Sequence, residues 1–228
     1  NGKTLLETHI RRVSQSKLIS KVIVATTTEE GAGYILDVAK KIGVATYQGS
    51  VDDVLDRFYQ AALTEMPDYV VRVTSDCPLI DPVIIDKLIN KIVESGCDYA
   101  SLGALGNTYP DGMDVEVFKF SALEKAWHEA TLKSDREHVT PYIWRNGTSK
   151  GGELFESTGI RNDIDWSSER ITVDTIEDFT VVKALIENLG DDKSCADYVN
   201  FLQAHPEIRE INQIYERNEG YAKSLLNN

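Results

Sequence analysis

Hydrophobic positions along the chain follow two alternating patterns. Short apolar runs rich in β-branched residues, at 21–26, 44–48, 69–73 and 98–101, alternate with stretches whose apolar residues recur every three or four positions. The runs read as buried strands of a parallel sheet, and the stretches as helices packed on it. The first helical stretch carries Leu5, Leu6, Ile10 and Val13 and runs to about Lys17. The next spans 32–42 and stops at Gly43, a C-cap glycine. Ser50-Val-Asp-Asp53 opens a third with an acidic first turn, and Val54, Leu55, Phe58 and Ala61 form its inner face. A fourth covers about 83–94, with Asp81 as N-cap and Pro82 at the first helical position, where its missing N–H costs nothing. Such alternation argues an α/β fold: a mostly parallel sheet with right-handed crossovers, flanked by helices.

The order changes after Ser101. Asn107-Thr-Tyr-Pro-Asp-Gly112 holds a Pro-Asp-Gly turn signal, and Asp114-Val-Glu-Val-Phe118 alternates as a strand with one exposed face does. Ser121-Ala-Leu-Glu124 and Ser134-Asp-Arg-Glu137 each read as a capping box, the second opening a helix through Trp144. Residues 107–160 therefore read as an excursion from the sheet. Arg170–Val173 returns to the buried-strand type, Thr175-Ile-Glu-Asp178 opens another helix, and two outer helices follow at 195–204 and 207–218.

Composition narrows the class. With 228 residues, 42% apolar and 27% charged, the chain has material for one domain over 1–228 with a substantial core. The net charge of -13 argues against nucleic acid or an anionic membrane as partner. Its apolar runs fall short of the 18 or more residues of a spanning helix. Cys77, Cys97 and Cys195 show neither zinc spacing nor a disulfide framework, and read as reduced thiols of a cytoplasmic protein.

Candidate chemistry sits at strand ends. In open α/β sheets ligands bind just past the carboxyl ends of strands. Asp76 follows the 69–73 strand there, and Asp174 follows 170–173 in the same way. Two such carboxylates suit Mg2+, which takes one or two protein carboxylates and completes its octahedron with water and phosphate oxygens. The ordinary alternatives are a loop cap for Asp76 and a helix N-cap for Asp174. Arg72 lies inside an apolar strand, where a charge requires a partner.

Several blocks, in order, resemble the spore-coat polysaccharide F-type cytidylyltransferases, relatives of the CMP-sialate and CMP-KDO synthetases. They are Val24-Ala-Thr-Thr27, Asp53-Val-Leu-Asp-Arg57, Arg72-Val-Thr-Ser-Asp-Cys-Pro-Leu-Ile-Asp81, Tyr109-Pro-Asp-Gly-Met-Asp-Val-Glu-Val-Phe118, Ser134-Asp-Arg-Glu-His-Val-Thr-Pro141, Thr172-Val-Asp174 and Arg217-Asn-Glu-Gly-Tyr221. The resemblance covers nearly the whole chain, and the block at 134–141 is its most specific piece. It implies a Rossmann-like nucleotidyltransferase fold with a dimerising excursion, hence a homodimer. It also implies transfer of CMP from CTP to a sugar or sugar acid, with release of pyrophosphate, in surface polysaccharide biosynthesis. By the same carry-over, Asp76 and Asp174 hold Mg2+, Ala25 and Thr26 meet the nucleotide, and Arg57 and Arg72 lie near the triphosphate and base. Arg57 has a plainer alternative, an ion pair with Asp53 one turn back. Tyr109, Asp111, Asp114, Arg136, Glu137 and His138 are the candidates for the sugar side. In the family a strand and a Gly- and Arg-rich phosphate loop precede the position matching Asn1, so the resemblance carries the expectation that this chain is part of a longer protein. Two other readings stay open at this stage: a nucleotidyltransferase of another base, and a non-catalytic nucleotide- or sugar-binding subunit. The paired acids argue against the second.

Overall fold

The structure, a computed structural model, describes residues 2–215, 217, 221, 224 and 225. Its first half follows the alternation of the sequence: α1 (Leu5–Val13), β1 (Ile23–Thr27), α2 (Ala32–Ile42), β2 (Ala45–Gly49), α3 (Val54–Leu63), β3 (Tyr69–Arg72), α4 (Pro82–Ser95) and β4 (Tyr99–Ser101). The local signals explain the boundaries. Gly43 closes α2 in the left-handed conformation (φ 73°), which only glycine adopts without cost. Asp81 caps α4 through the Val83 N–H, with Pro82 in the first turn. Its second carboxylate oxygen accepts the N–H of Cys195, the first residue of α9 (Cys195–Ala204), at 2.8 Å. One buried aspartate thus serves two helix N-termini.

The second half is β5 (Glu116–Lys119), α5 (Phe120–Glu129), α6 (Lys133–His138), α7 (Pro141–Arg145), β6 (Ser157–Gly159), α8 (Ile176–Leu189), then α9 and the short α10 (Pro206–Arg209). β1 and β2 pair in parallel as one sheet, and a second sheet has the order β3-β5-β4-β6. In it β3, β4 and β6 run in one direction and β5 alone is reversed. Helices cover both faces. Val117 of β5 joins the core formed with α4, α8 and α9, and its neighbour Phe118 joins the core formed with α3, α5 and α7. This is the period-2 alternation of a strand.

Several expectations are corrected. Residues 107–160 do not leave the sheet as a unit, because β5 is hydrogen-bonded between β3 and β4 and is covered on both sides. The boxes at Ser121 and Ser134 do not form: α5 and α6 already start at the residue before each serine, so each serine lies within its helix rather than at the cap. The helix through Trp144 is two helices broken at Val139. Residues 170–173 contribute one bridge, Asp111 with Arg170, rather than a strand. The helix expected over 207–218 ends at Arg209, and 210–215 form turns and bends; residues 216 and 218 lie outside the described residues. No helix among the described residues is long and apolar enough to cross a membrane.

Candidate active site

Register brings the polar edge of the sheet together. Arg72 ends β3 directly opposite Glu116, which starts the reversed β5, and Glu116 also faces Ser101 at the end of β4. Beyond this edge lies a cavity of about 950 Å³ lined by all three residues.

One wall is built around Glu116. Its carboxylate accepts from Arg72 Nη1 at 2.8 Å, from the Tyr99 hydroxyl at 2.5 Å and from the Thr140 hydroxyl at 2.7 Å. The partner that Arg72 requires is therefore Glu116. Burial, then the Glu116 carboxylate, push the Tyr99 phenol well above its usual range, so it stays a donor. Thr140 is delivered by an unusual turn. Val139 has φ 73° and ψ -57°, and the Thr140 N–H bonds the His138 carbonyl at 2.9 Å. That is the rare γ-turn geometry, costing about 1–3 kcal/mol. Full burial of the Val139 side chain holds it in place. The turn puts both His138 and Thr140 on the cavity wall. Tyr221 stacks edge-on against His138 and Trp144, with ring centroids 5.2 and 5.8 Å away. Burial, then the nearby Arg72 charge, hold the His138 imidazole below its usual range, against the pull of Glu137.

A second part of the lining is acidic. The Asp76 carbonyl accepts the Val173 N–H at 2.8 Å and the Thr172 hydroxyl at 3.1 Å, which brings Asp174 beside Asp76. Burial, then the Asp76 carboxylate, raise the Asp174 carboxyl. Asp174 is not a helix cap, because Thr175 caps α8 in a true capping box with Asp178. Behind it, Arg170 donates to Asp174 (2.9 Å), to Asp111 (2.6 Å) and, from two nitrogens, to the fully buried Asp178 (2.8 Å each). Burial disfavours the Arg170 charge, but the three carboxylates outweigh it and raise its pKa. Arg217 donates to Asp114 and to the Tyr109 carbonyl, and lies 3.8 Å from Asp111. Four aspartates (Asp111, Asp114, Asp174 and Asp178) thus share two guanidiniums.

Of the residues singled out in the sequence, Arg72, Asp76, Asp111, Asp114, His138 and Asp174 line this one cavity. The others do not. Tyr109 is 4% exposed and packs in the core with α4. Arg136 fastens the N-cap Asp53 of α3 (2.7 Å) to the carbonyls of Trp127 and Ala130, a packing role. Asp53 is therefore taken, and Arg57 turns instead to the Ser50 carbonyl at 3.0 Å. Glu137 stands half exposed, 3.9 Å from His138. Ala25 and Thr26 lie on β1 in the other sheet, outside the cavity. Of the block 217–221, Arg217, Tyr215 just before it, and Tyr221 line the cavity, while residues 218–220 lie outside the described residues.

Sequence reasoning missed Tyr99, Glu116, Thr140 and Arg170. The signal for Arg170 was present: like Arg72, it is a charge at the edge of an apolar run, and the same demand for a partner applies.

The cytidylyltransferase family model matches residues 1–223. The chain belongs to the cytidylyltransferase family. It is accordingly a nucleotidyltransferase that uses CTP. It is 35% identical over 217 residues to an uncharacterized protein of Methanocaldococcus jannaschii, covering 92% of this chain and 84% of that one. It is 28% identical over 214 residues to the spore coat polysaccharide biosynthesis protein SpsF of Bacillus subtilis, covering 89% and 85%. A cytidylyltransferase structure from Leptospira borgpetersenii serovar Hardjo-bovis superposes with a TM-score of 0.86 at 33% identity, over 95% of this chain and 90% of that one. CMP-2-keto-3-deoxy-manno-octonic acid synthetase, solved with CTP, shares the fold at a TM-score of 0.58 and 13% identity, over 82% of this chain and 88% of that one.

Proposed function

We propose that this cytidylyltransferase transfers CMP from CTP to a hydroxyl of a sugar or sugar acid, releasing pyrophosphate, in surface polysaccharide biosynthesis. The observation that carries the proposal is the two-walled cavity. The hydrogen-bonded set on Glu116 lines the same cavity as the acidic set centred on Asp76 and Asp174.

The acidic wall fits magnesium. Its donors are hard carboxylate oxygens, and burial, then the neighbouring Asp76 carboxylate, raise the cost of ionising Asp174. Among the described residues no three His, Cys, Asp or Glu side chains converge as a complete cage, which suits an ion completed by water and phosphate. Asp76 and Asp174 would hold it, and when bound it supplies charge neutralisation on the phosphate oxygens. The chain's own residues do the positioning. Arg170 fixes one oxygen of Asp174 and leaves the other to the cavity. Tyr99 and Thr140 aim at Glu116, and Glu116 aims Arg72, so the acceptor meets a wall with few loose rotors. In the reaction the acceptor oxygen bonds the α-phosphorus as the bond to the β-phosphate oxygen breaks, and the hydroxyl proton is released. Ala25, Thr26 and Arg57 remain proposed contacts of the nucleotide.

Pyrophosphate release is the test, measured with each nucleoside triphosphate, with and without Mg2+, against nonulosonic acids and sugar phosphates. Release with CTP, Mg2+ and a sugar-type acceptor is expected. Asp76→Asn and Asp174→Asn are each expected to remain folded and lose the Mg2+-dependent turnover. Wild-type turnover in either variant removes that residue from the site, and turnover independent of divalent cations ends the metal assignment.

A further inference from the structure

We infer that His9, a buried side chain of α1, is a positioning residue for Asp76. The inference rests on the reading of Asp76 as a cation ligand and goes beyond it by naming what holds that ligand still. His9 is 5% exposed and does not line the cavity, so it acts through other groups. Its Nδ1 lies 2.8 Å from the carbonyl oxygen of Cys77, the residue after Asp76. A carbonyl only accepts, so Nδ1 carries the hydrogen and donates, which fixes the tautomer.

Cys77 passes the constraint on. It is 2% exposed, packed in the core behind the loop. The Cys77 Sγ donates to Asp76 Oδ1 at 3.4 Å, so the residue that His9 anchors also orients the carboxylate. From the other side, the Asp76 carbonyl is held by Val173 and Thr172. The helix that carries His9 is itself fixed. Arg12, 1% exposed, donates to the carbonyls of Ile80, Asp191 and Lys193 at 2.7, 3.0 and 2.8 Å. The loop bearing Asp76 is therefore gripped from behind by α1 and in front by residues 172–173. Partners of this kind, which orient a metal ligand without touching the ion, typically shift metal affinity about 10- to 100-fold when removed.

The test separates the hydrogen bond from the bulk of the ring. His9→Leu removes the donor. His9→Asn keeps an N–H at nearly the reach of Nδ1. Mn2+ binding to the substrate-free protein is followed by electron paramagnetic resonance, and the Mg2+ concentration giving half-maximal pyrophosphate release is measured beside it. His9→Leu is expected to weaken Mn2+ binding and raise the half-saturating Mg2+ by about tenfold or more, with the KM for CTP at saturating Mg2+ unchanged. His9→Asn is expected to restore most of both. If His9→Leu does not fold, His9→Gln, whose N–H sits one bond further out, is held to the same expectation. Equal weakening in the leucine and asparagine variants overturns the inference, because ring packing then explains the effect. Wild-type Mn2+ binding in His9→Leu, beside loss in Asp76→Asn, overturns it while leaving the Asp76 assignment standing. Wild-type binding in Asp76→Asn overturns both.

Discussion

Asp111 gives the structure a pH dependence that can be worked through. Its carboxylate bonds Arg170 at 2.6 Å and lies 3.8 Å from Arg217. Burial, then the adjacent Asp114, nevertheless outweigh the two guanidiniums and push its carboxyl from 3.8 up to about 6. The folded state therefore holds this proton more tightly than the unfolded chain does. The group's contribution to stability is fully present below the unfolded value of 3.8 and is lost as pH rises through the folded value of about 6. At 1.36 kcal/mol per pH unit, the gap corresponds to about 3 kcal/mol of stability forgone at neutral pH. That is a large share of the roughly 5–15 kcal/mol of a typical domain. Asp111→Asn removes the charge and keeps an oxygen for Arg170. It is expected to be more stable than wild type by about 1–3 kcal/mol at pH 8 and to match it near pH 4. Urea denaturation at one-unit steps from pH 4 to pH 8 measures this. A variant less stable than wild type at pH 8, or a difference that stays constant across the range, refutes the reasoning. The gain should come with lower turnover, as when a strained polar group at an active site is relaxed.

Three further outcomes follow from the same wall and its neighbour. Arg170→Met leaves the fully buried Asp178 without its guanidinium and is expected to cost about 3–5 kcal/mol in urea unfolding; a double-mutant cycle with Asp178→Asn should be strongly non-additive, and additivity would place the two outside one network. Gly112 has φ 100°, and an added Cβ would lie 2.5 Å from the backbone of Ile171 and Thr172. Gly112→Ala is expected to cost about 2 kcal/mol or more and to depress turnover, since that contact seats Asp111 against Arg170; a cost within measurement error would show that the turn yields freely. Tyr99→Phe removes the 2.5 Å bond to Glu116 and is expected to raise the KM for the acceptor while sparing that for CTP. Equal KM values for the acceptor in variant and wild type would take the Glu116 wall out of acceptor recognition.

Much of the fold was legible because local signals decide it. Gly43, Asp81 with Pro82, and the Thr175–Asp178 box mark their helix ends as their chemistry requires. β5 was read as half exposed because its polar positions alternate, but Glu116 spends that polarity inside, on Arg72, Tyr99 and Thr140. A period-2 pattern records which residues are polar. It does not record whether their partner is water or another buried side chain. The two serine boxes failed for a related reason. Ser-x-x-Glu is only potential capping chemistry, and both helices start two residues earlier than a serine cap would set, leaving Ser134 fully buried.

The site was legible to the extent that it sits at strand ends, and hidden where it depends on pairing between distant segments. Asp76 was placed correctly at the polar edge after β3. Asp174 reaches it without a strand of its own, because Thr172 and Val173 bond the Asp76 carbonyl instead of extending the sheet. Nothing in the spacing of residues 170–174 shows that choice. Nor does it show why so acidic a wall is stable. Asp178 answers this: although 0% exposed, it is satisfied by Arg170, by the N–H groups of Asp174 and Thr175, and by Asn212. These bonds hold its carboxyl below the usual range despite the burial that opposes them. The buried acid is thus fully partnered, while Asp174, 53% exposed at its side chain, keeps an oxygen toward the cavity. Rigidity is placed one layer behind the acids proposed to bind the cation, which leaves those acids available to a ligand.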